Sequence, residues 1–179
     1  MNKYPILLLV LIGALNYSTA YSVTAMIKIL NYKYADKVKA DKSWCDNSPS
    51  HAACSPAFEF CLRPFYCQQC DTTYKFGSPD PQYQHVNNIT FSAKLSSKLT
   101  NPLQFTLKQW QQLMVLSATV TNQDYNPSNL IDTVTYTMSS VNPAISEKAA
   151  NWEPFTLTSE NSVMSIEGVF KVFNSPLVH

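Results

Sequence analysis

Glycine is scarce, with three in 179 residues, and that scarcity removes a group of functions at once. No Gly-rich loop is present to wrap a phosphate, and neither an HExxH zinc helix nor a GxSxG nucleophile turn occurs. Histidine is equally sparse, at three residues. His51 sits in a polar loop, His85 just before a candidate strand and His179 at the end of the sequence, none at a metal-ligand spacing or beside a nucleophile motif. Asp and Glu are scattered singly, so paired carboxylates for acid–base work are missing as well. These absences argue against an enzyme.

Long apolar runs are also absent. The run Ile6 to Leu15 falls well short of the roughly twenty residues that span a bilayer as a helix. It follows Lys3 and precedes "NYSTA", which places Ser18 and Ala20 at the small-residue positions of a cleavage site. Residues 1–20 therefore read as a secretory signal peptide, with one extracellular domain over residues 21–179. Of the thirteen basic side chains, loss of Lys3 leaves twelve against twelve acidic ones. A neutral chain is a poor partner for nucleic acid, which needs a surplus of Lys and Arg on one face.

Aromatics, Thr, Ser and Val are plentiful, and no long window is dominated by Ala, Glu or Leu, so the composition favours strands. In "AFEFCLRPF", Phe58, Phe60 and Leu62 share one face while Glu59, Cys61 and Arg63 share the other, as a period of two requires. "NNITFSAKLS", residues 87–96, alternates most cleanly, with Ile89, Phe91, Ala93 and Leu95 on one side. "LIDTVTYTM" sets Ile131, Thr133, Thr135 and Thr137 against Asp132, Val134, Tyr136 and Met138. "EPFTLTS" and "VMSIEGVFKVF" flank a short turn and read as a hairpin. With "SVTAMIKIL", "TTYKF", "LQFTL" and "QQLMVLSATVT", the chain is expected to be all-β, an antiparallel β-sandwich of about eight strands without an amphipathic helix. Within residues 139–151, "AISEKAAN" has room for one helical turn or two.

All five cysteines, Cys45, Cys54, Cys61, Cys67 and Cys70, fall within one window of 26 residues. In a secreted chain that window reads as a disulfide framework with at least one thiol left unpaired within the chain. "CQQC", residues 67–70, is also the form of half a zinc site or a redox pair. A zinc knuckle needs a second pair at similar spacing, and the redox motif sits where a strand meets a helix; neither context is present. Cys54 and Cys61 would stand roughly 20 Å apart across an extended segment, too far for a bond to each other. The residues alone leave Cys45, Cys67 and Cys70 open as partners of Cys61.

"NIT" places an N-glycosylation sequon at Asn88, which also serves as a strand-entry turn residue. The loop "YKYADKVKADKSW" carries Lys37, Lys39 and Lys42, followed by Trp44. Lysines beside an interfacial aromatic suit an anionic headgroup surface; the plainer alternative is a solvated loop whose Trp44 folds back onto the sandwich. Asp36, Asp41, Asp124 and Asp132 come from loops or strand ends, without the DxD spacing of a calcium site. No cofactor is therefore expected from the residues, and calcium is the alternative left open.

The order of "IKILNY", "WCD", "CSPAFEFCLRPF", "CDTTYKFGS", "ITFSAKL", "NPLQFTL", "LMVLSATV" and the closing "WEPF…SIEGVFKVF" resembles the N-terminal domain of Notch ligands of the Delta/Serrate/Jagged type over residues 22–173. The resemblance implies a C2-like sandwich, extracellular placement, contact with the EGF repeats of a Notch-type receptor and, in some members, phospholipid binding by loops at one end, with calcium in some. It implies that the loops over residues 32–54 and 122–129 form the lipid-facing tip. It further implies that Cys61 pairs with Cys70, the cysteine before the Phe-Gly-Ser turn. The bridge cysteines expected on this basis are Cys61, Cys70, Cys45 and Cys54; Cys67 has no counterpart in the pattern and is the expected free thiol. Where the family has adjacent cysteines, this chain has Trp44 and Cys45. Family ligands continue into a receptor-binding module and EGF repeats, which on the resemblance would begin near His179. A lone module is accordingly expected to act as a co-ligand or antagonist in Notch signalling. The alternative is a stand-alone extracellular C2-like lipid binder that does not act on Notch.

Overall fold

The computed structural model describes residues 21–45, 53–80, 82–123 and 129–176. The expected signal peptide lies outside the described residues. Nine strands follow in order: β1 (Tyr21–Tyr34), β2 (Pro56–Pro64), β3 (Thr73–Phe76), β4 (Asn88–Thr90), β5 (Leu103–Leu107), β6 (Leu113–Asn122), β7 (Asn129–Ser139), β8 (Glu153–Thr158) and β9 (Met164–Pro176). One turn of 3-10 helix, Glu147–Ala149, interrupts the segment before β8.

The first sheet runs β4-β1-β9-β8, with β5 also paired to β1, and the second runs β3-β2-β6-β7. Every ladder between these strands is antiparallel. Alternating apolar residues close the space between the sheets, because each sheet must bury one face. From β1 these are Ile27 and Ile29, from β2 Phe60 and Leu62, from β6 Leu116 and from β9 Ile166, each at most 1% exposed. The β8–β9 hairpin forms as its sequence predicts, with Thr158 opposite Ser165 at the turn end.

Two expectations need correction. The segment 87–96 is a strand only over Asn88–Thr90. Its serines compete with the ladder for backbone groups: Ser92 Oγ donates to Lys94 O (2.9 Å), and Ser96 Oγ accepts from Leu99 N (3.0 Å). Such local bonds offer the backbone a turn in place of a strand, and Ala93 ends up exposed while Phe91 and Leu95 still reach the core. In β7 the register slips against β6, where Val120 pairs with Asp132 but Thr121 pairs with Leu130. Ile131 is the extra residue of that bulge and turns inward with Val134 and Met138, leaving the threonines outside.

Where β1 passes from β5 to β4, a side chain takes the place of a strand. The Asn101 carboxamide accepts from Ile29 N (2.9 Å) and donates to Ile29 O (2.7 Å) and Ser92 O (3.0 Å). Ile29 is fully buried, so without Asn101 its polar backbone would lack a partner.

Candidate functional site

After β1 ends at Tyr34, residues 37–45 fold back on themselves. Val38 bridges antiparallel to Trp44, Lys39 N donates to Ser43 O (2.7 Å) and Lys42 N donates to Lys39 O (2.8 Å). Lys42 adopts a left-handed φ of 65°, the position that closes a three-residue hairpin loop. Asp41 Oδ1 accepts from Ser43 N (2.9 Å) and from the Ser43 hydroxyl. Those bonds, the hydroxyl's first, hold the Asp41 carboxyl below the usual carboxylate range.

This hairpin is tied down at four points. Cys45 and Cys54 form a disulfide with Cα atoms 4.8 Å apart. Asn122, 1% exposed, donates to Cys45 O (2.6 Å) and accepts from Ser55 N (2.8 Å). Ala40 N donates to Leu130 O (3.1 Å) at the start of β7, and the Tyr34 hydroxyl donates to Val38 O. Its outward side chains stay accessible: Lys37, Lys42 and Trp44 are exposed and Lys39 is half-buried. Trp44 retains 45% of its surface, so it neither stands free of the sandwich nor disappears into it. Of the expected second loop, residues 122–129, Asn122 lies at this same end, and residues 124–128 lie outside the described residues.

Beside the hairpin an open groove of about 780 Å³ runs between β7 and the β8–β9 turn. Lys39 and Lys42 line it together with Asp36, Asp132 and Glu160, whereas Lys37 and Trp44 do not. Tyr34 also lines it, and its phenol is pushed up to about 12 by burial and by the Asp36 and Asp132 carboxylates. Tyr32 behind it is raised in the same direction by burial, Tyr34 and Asp132. Its hydroxyl is buried with no hydrogen-bond partner among the described residues. Glu160 is marked by no pattern in the sequence; only the closing of the β8–β9 turn against the hairpin brings it here. Among the described residues no three of His, Cys, Asp and Glu converge on a metal-sized site, and Asp124 lies outside them.

The other expected residues lie elsewhere. Cys61 is bonded to Cys70, Cα atoms 5.9 Å apart, on the outer face of β2. Cys67 is an exposed free thiol in the loop that this bridge closes. Asn88 is exposed on β4, paired with Lys33 along one side of β1. No helix among the described residues is long and apolar enough to cross a membrane.

No family model and no curated protein matches the chain. Solved structures do. The Drosophila C2-DSL-EGF1 structure superposes with a TM-score of 0.55 at 17% identity, covering 84% of this chain and 67% of that one. A C2 domain protein from Ramazzottius varieornatus gives 0.56 at 13% identity, covering 88% and 91%. Human GIVD cytosolic phospholipase A2 gives 0.52 at 13% identity, over 88% of this chain but 18% of that one. At these identities the likeness is one of fold, and the fold is that of a C2-like antiparallel β-sandwich.

Proposed function

We propose that the chain is an extracellular, non-catalytic binding module of Notch-ligand type that docks on a phospholipid surface through the hairpin over residues 37–45 and modulates Notch signalling by contact with receptor EGF repeats. The observation that carries this reading is the hairpin itself, whose lysines and Trp44 project from a base anchored by a disulfide and by Asn122. An anchored loop loses little freedom on binding, so contact energy is retained as affinity. Each lysine near an anionic leaflet contributes about 1 kcal/mol and Trp favours the interface. The two disulfides suit an oxidising compartment, and the likeness to C2-DSL-EGF1 supports the ligand-type reading.

Co-sedimentation with vesicles containing an anionic phospholipid tests the surface. Replacing Lys37, Lys39 and Lys42 with Glu is expected to weaken partitioning at least about a hundredfold, at about 1 kcal/mol for each lysine lost. Unchanged sedimentation removes the hairpin from the account. A second reading, a stand-alone lipid-binding C2-like protein without action on Notch, is supported by the likeness to a C2 domain protein of which this chain covers 91%. Pull-down on receptor EGF repeats separates the two readings. Retention of the chain supports the first, and lipid binding without retention leaves the second.

A further inference from the structure

The groove beside the hairpin offers both signs of charge to one ligand. Lys39 and Lys42 stand on the hairpin side, and Asp36, Asp132 and Glu160 come from the end of β1, the start of β7 and the β8–β9 turn. Among the described residues these groups do not neutralise one another, since the ion pairs present are Lys33–Glu167, Lys75–Glu59 and Lys171–Glu147. Asp36 and Asp132 each spend one carboxylate oxygen on a neighbouring backbone N–H, of Lys37 and Thr133 at 2.7 Å, and keep the other. The volume of about 780 Å³ falls within the range of small-ligand sites, about 300–1,000 Å³. A purely anionic ligand would be drawn by two ammonium groups and repelled by three carboxylates. A purely cationic one would meet the reverse. A ligand that carries a phosphate and a primary ammonium a few bonds apart satisfies both walls with charge-assisted hydrogen bonds.

Resting on the lipid-surface reading above, we propose that this groove selects aminophospholipids, with the headgroup phosphate on Lys39 and Lys42 and its ammonium on Glu160 and Asp132. Selection then comes from the ammonium, which net surface charge does not supply. It also needs no calcium, because the carboxylates meet the ammonium directly.

The test is co-sedimentation of the whole chain, in the presence of a calcium chelator, with phosphatidylcholine vesicles carrying equal mole fractions of phosphatidylserine or of phosphatidylglycerol. Both lipids carry one net negative charge, so attraction at a distance is matched. At least about tenfold tighter binding to phosphatidylserine is expected, the worth of one charge-assisted hydrogen bond. Glu160→Gln, on an exposed turn, should narrow the preference for phosphatidylserine over phosphatidylglycerol; Asp132→Asn should act in the same direction. Circular dichroism and a thermal melt confirm that each variant is folded. Equal binding of the unsubstituted chain to both vesicles overturns the headgroup proposal and leaves the lipid-surface reading standing. A preference unchanged by Glu160→Gln and Asp132→Asn, or one that appears only with calcium, also overturns it. Sedimentation with neither vesicle removes the lipid-surface reading and this proposal together.

Discussion

Asn122→Ala tests whether the hairpin depends on one buried side chain. The Asn122 carboxamide, at the end of β6, bridges the segment ending at Cys45 and the segment beginning at Ser55. Removing it leaves Cys45 O and Ser55 N without those bonds in a place from which water is excluded, since Cys45 is 3% and Ser55 0% exposed. At about 1–3 kcal/mol for each of these two lost buried bonds, the loss should be about 2–6 kcal/mol. That is a large part of the roughly 5–15 kcal/mol that hold a domain folded. The companion Asn122→Asp keeps the acceptor for Ser55 N and replaces the donor with an oxygen facing Cys45 O. Burial and the opposed carbonyl favour the protonated carboxyl, so its pKa is raised in the folded state. A carboxyl with a raised folded pKa leaves stability intact below its unfolded pKa, about 4, and costs stability as pH rises beyond it. Asn122→Asp should therefore approach the unsubstituted protein near pH 4 and fall well below it at pH 7. Urea unfolding followed by tryptophan fluorescence at the two pH values measures both effects. A loss below about 1 kcal/mol for Asn122→Ala, or an Asn122→Asp cost independent of pH, would refute the bridging role.

The same logic applies to Asn101→Leu, which strips Ile29 of a donor and an acceptor at once and should cost about 2–6 kcal/mol in the same urea experiment. Gly168→Ala would put a Cβ 2.4 Å from the Phe155 ring and 2.5 Å from Lys28 O; a loss of about 1–3 kcal/mol is expected, partly recovered by Phe155→Leu. Tyr34, raised by burial first and then by Asp36 and Asp132, should ionise at about pH 12 in an ultraviolet absorbance titration. Because its folded pKa lies above the ordinary 10, the stability it contributes is complete below pH 10 and is lost as pH rises through about 12. Asp132→Asn should move that ionisation back toward 10.

Much of the sandwich was legible because a buried sheet face writes itself into sequence with a period of two. Phe58, Phe60 and Leu62 face inward and Cys61 lies on the other face of β2, as the alternation requires. The failures share a cause. Residues 87–96 alternate as cleanly as any strand, yet the hydroxyls of Ser92 and Ser96 are equally good partners for nearby backbone groups, and periodicity does not weigh that competition. In β7 the alternation is real, but a bulge that depends on pairing with β6 shifts Ile131 out of phase. Asn101 and Asn122 look like ordinary turn residues at their positions. Their bonds run to partners 72 and 77 residues distant, respectively, and nothing local announces them.

The candidate site was half legible for a related reason. Lys37, Lys39, Lys42 and Trp44 are near neighbours in sequence, so their common address is visible before any fold is known. The carboxylates opposite them are spread from Asp36 to Glu160, and only the packing of β7 and the β8–β9 turn beside the hairpin collects them. The two halves make different demands on the scaffold. Attraction of lysines to a charged surface tolerates a mobile loop, because it acts over about a Debye length. Reading a phosphate and an ammonium in one headgroup requires the two walls to keep their spacing to a fraction of a bond length. The four restraints on the hairpin, the Cys45–Cys54 bridge, Asn122, the Ala40 bond to β7 and the Tyr34 bond to Val38, are more than a lysine-bearing tether needs. They are what a groove of fixed width needs. Loosening the base with Asn122→Ala should then erode discrimination between headgroups before it erodes attachment to an anionic vesicle.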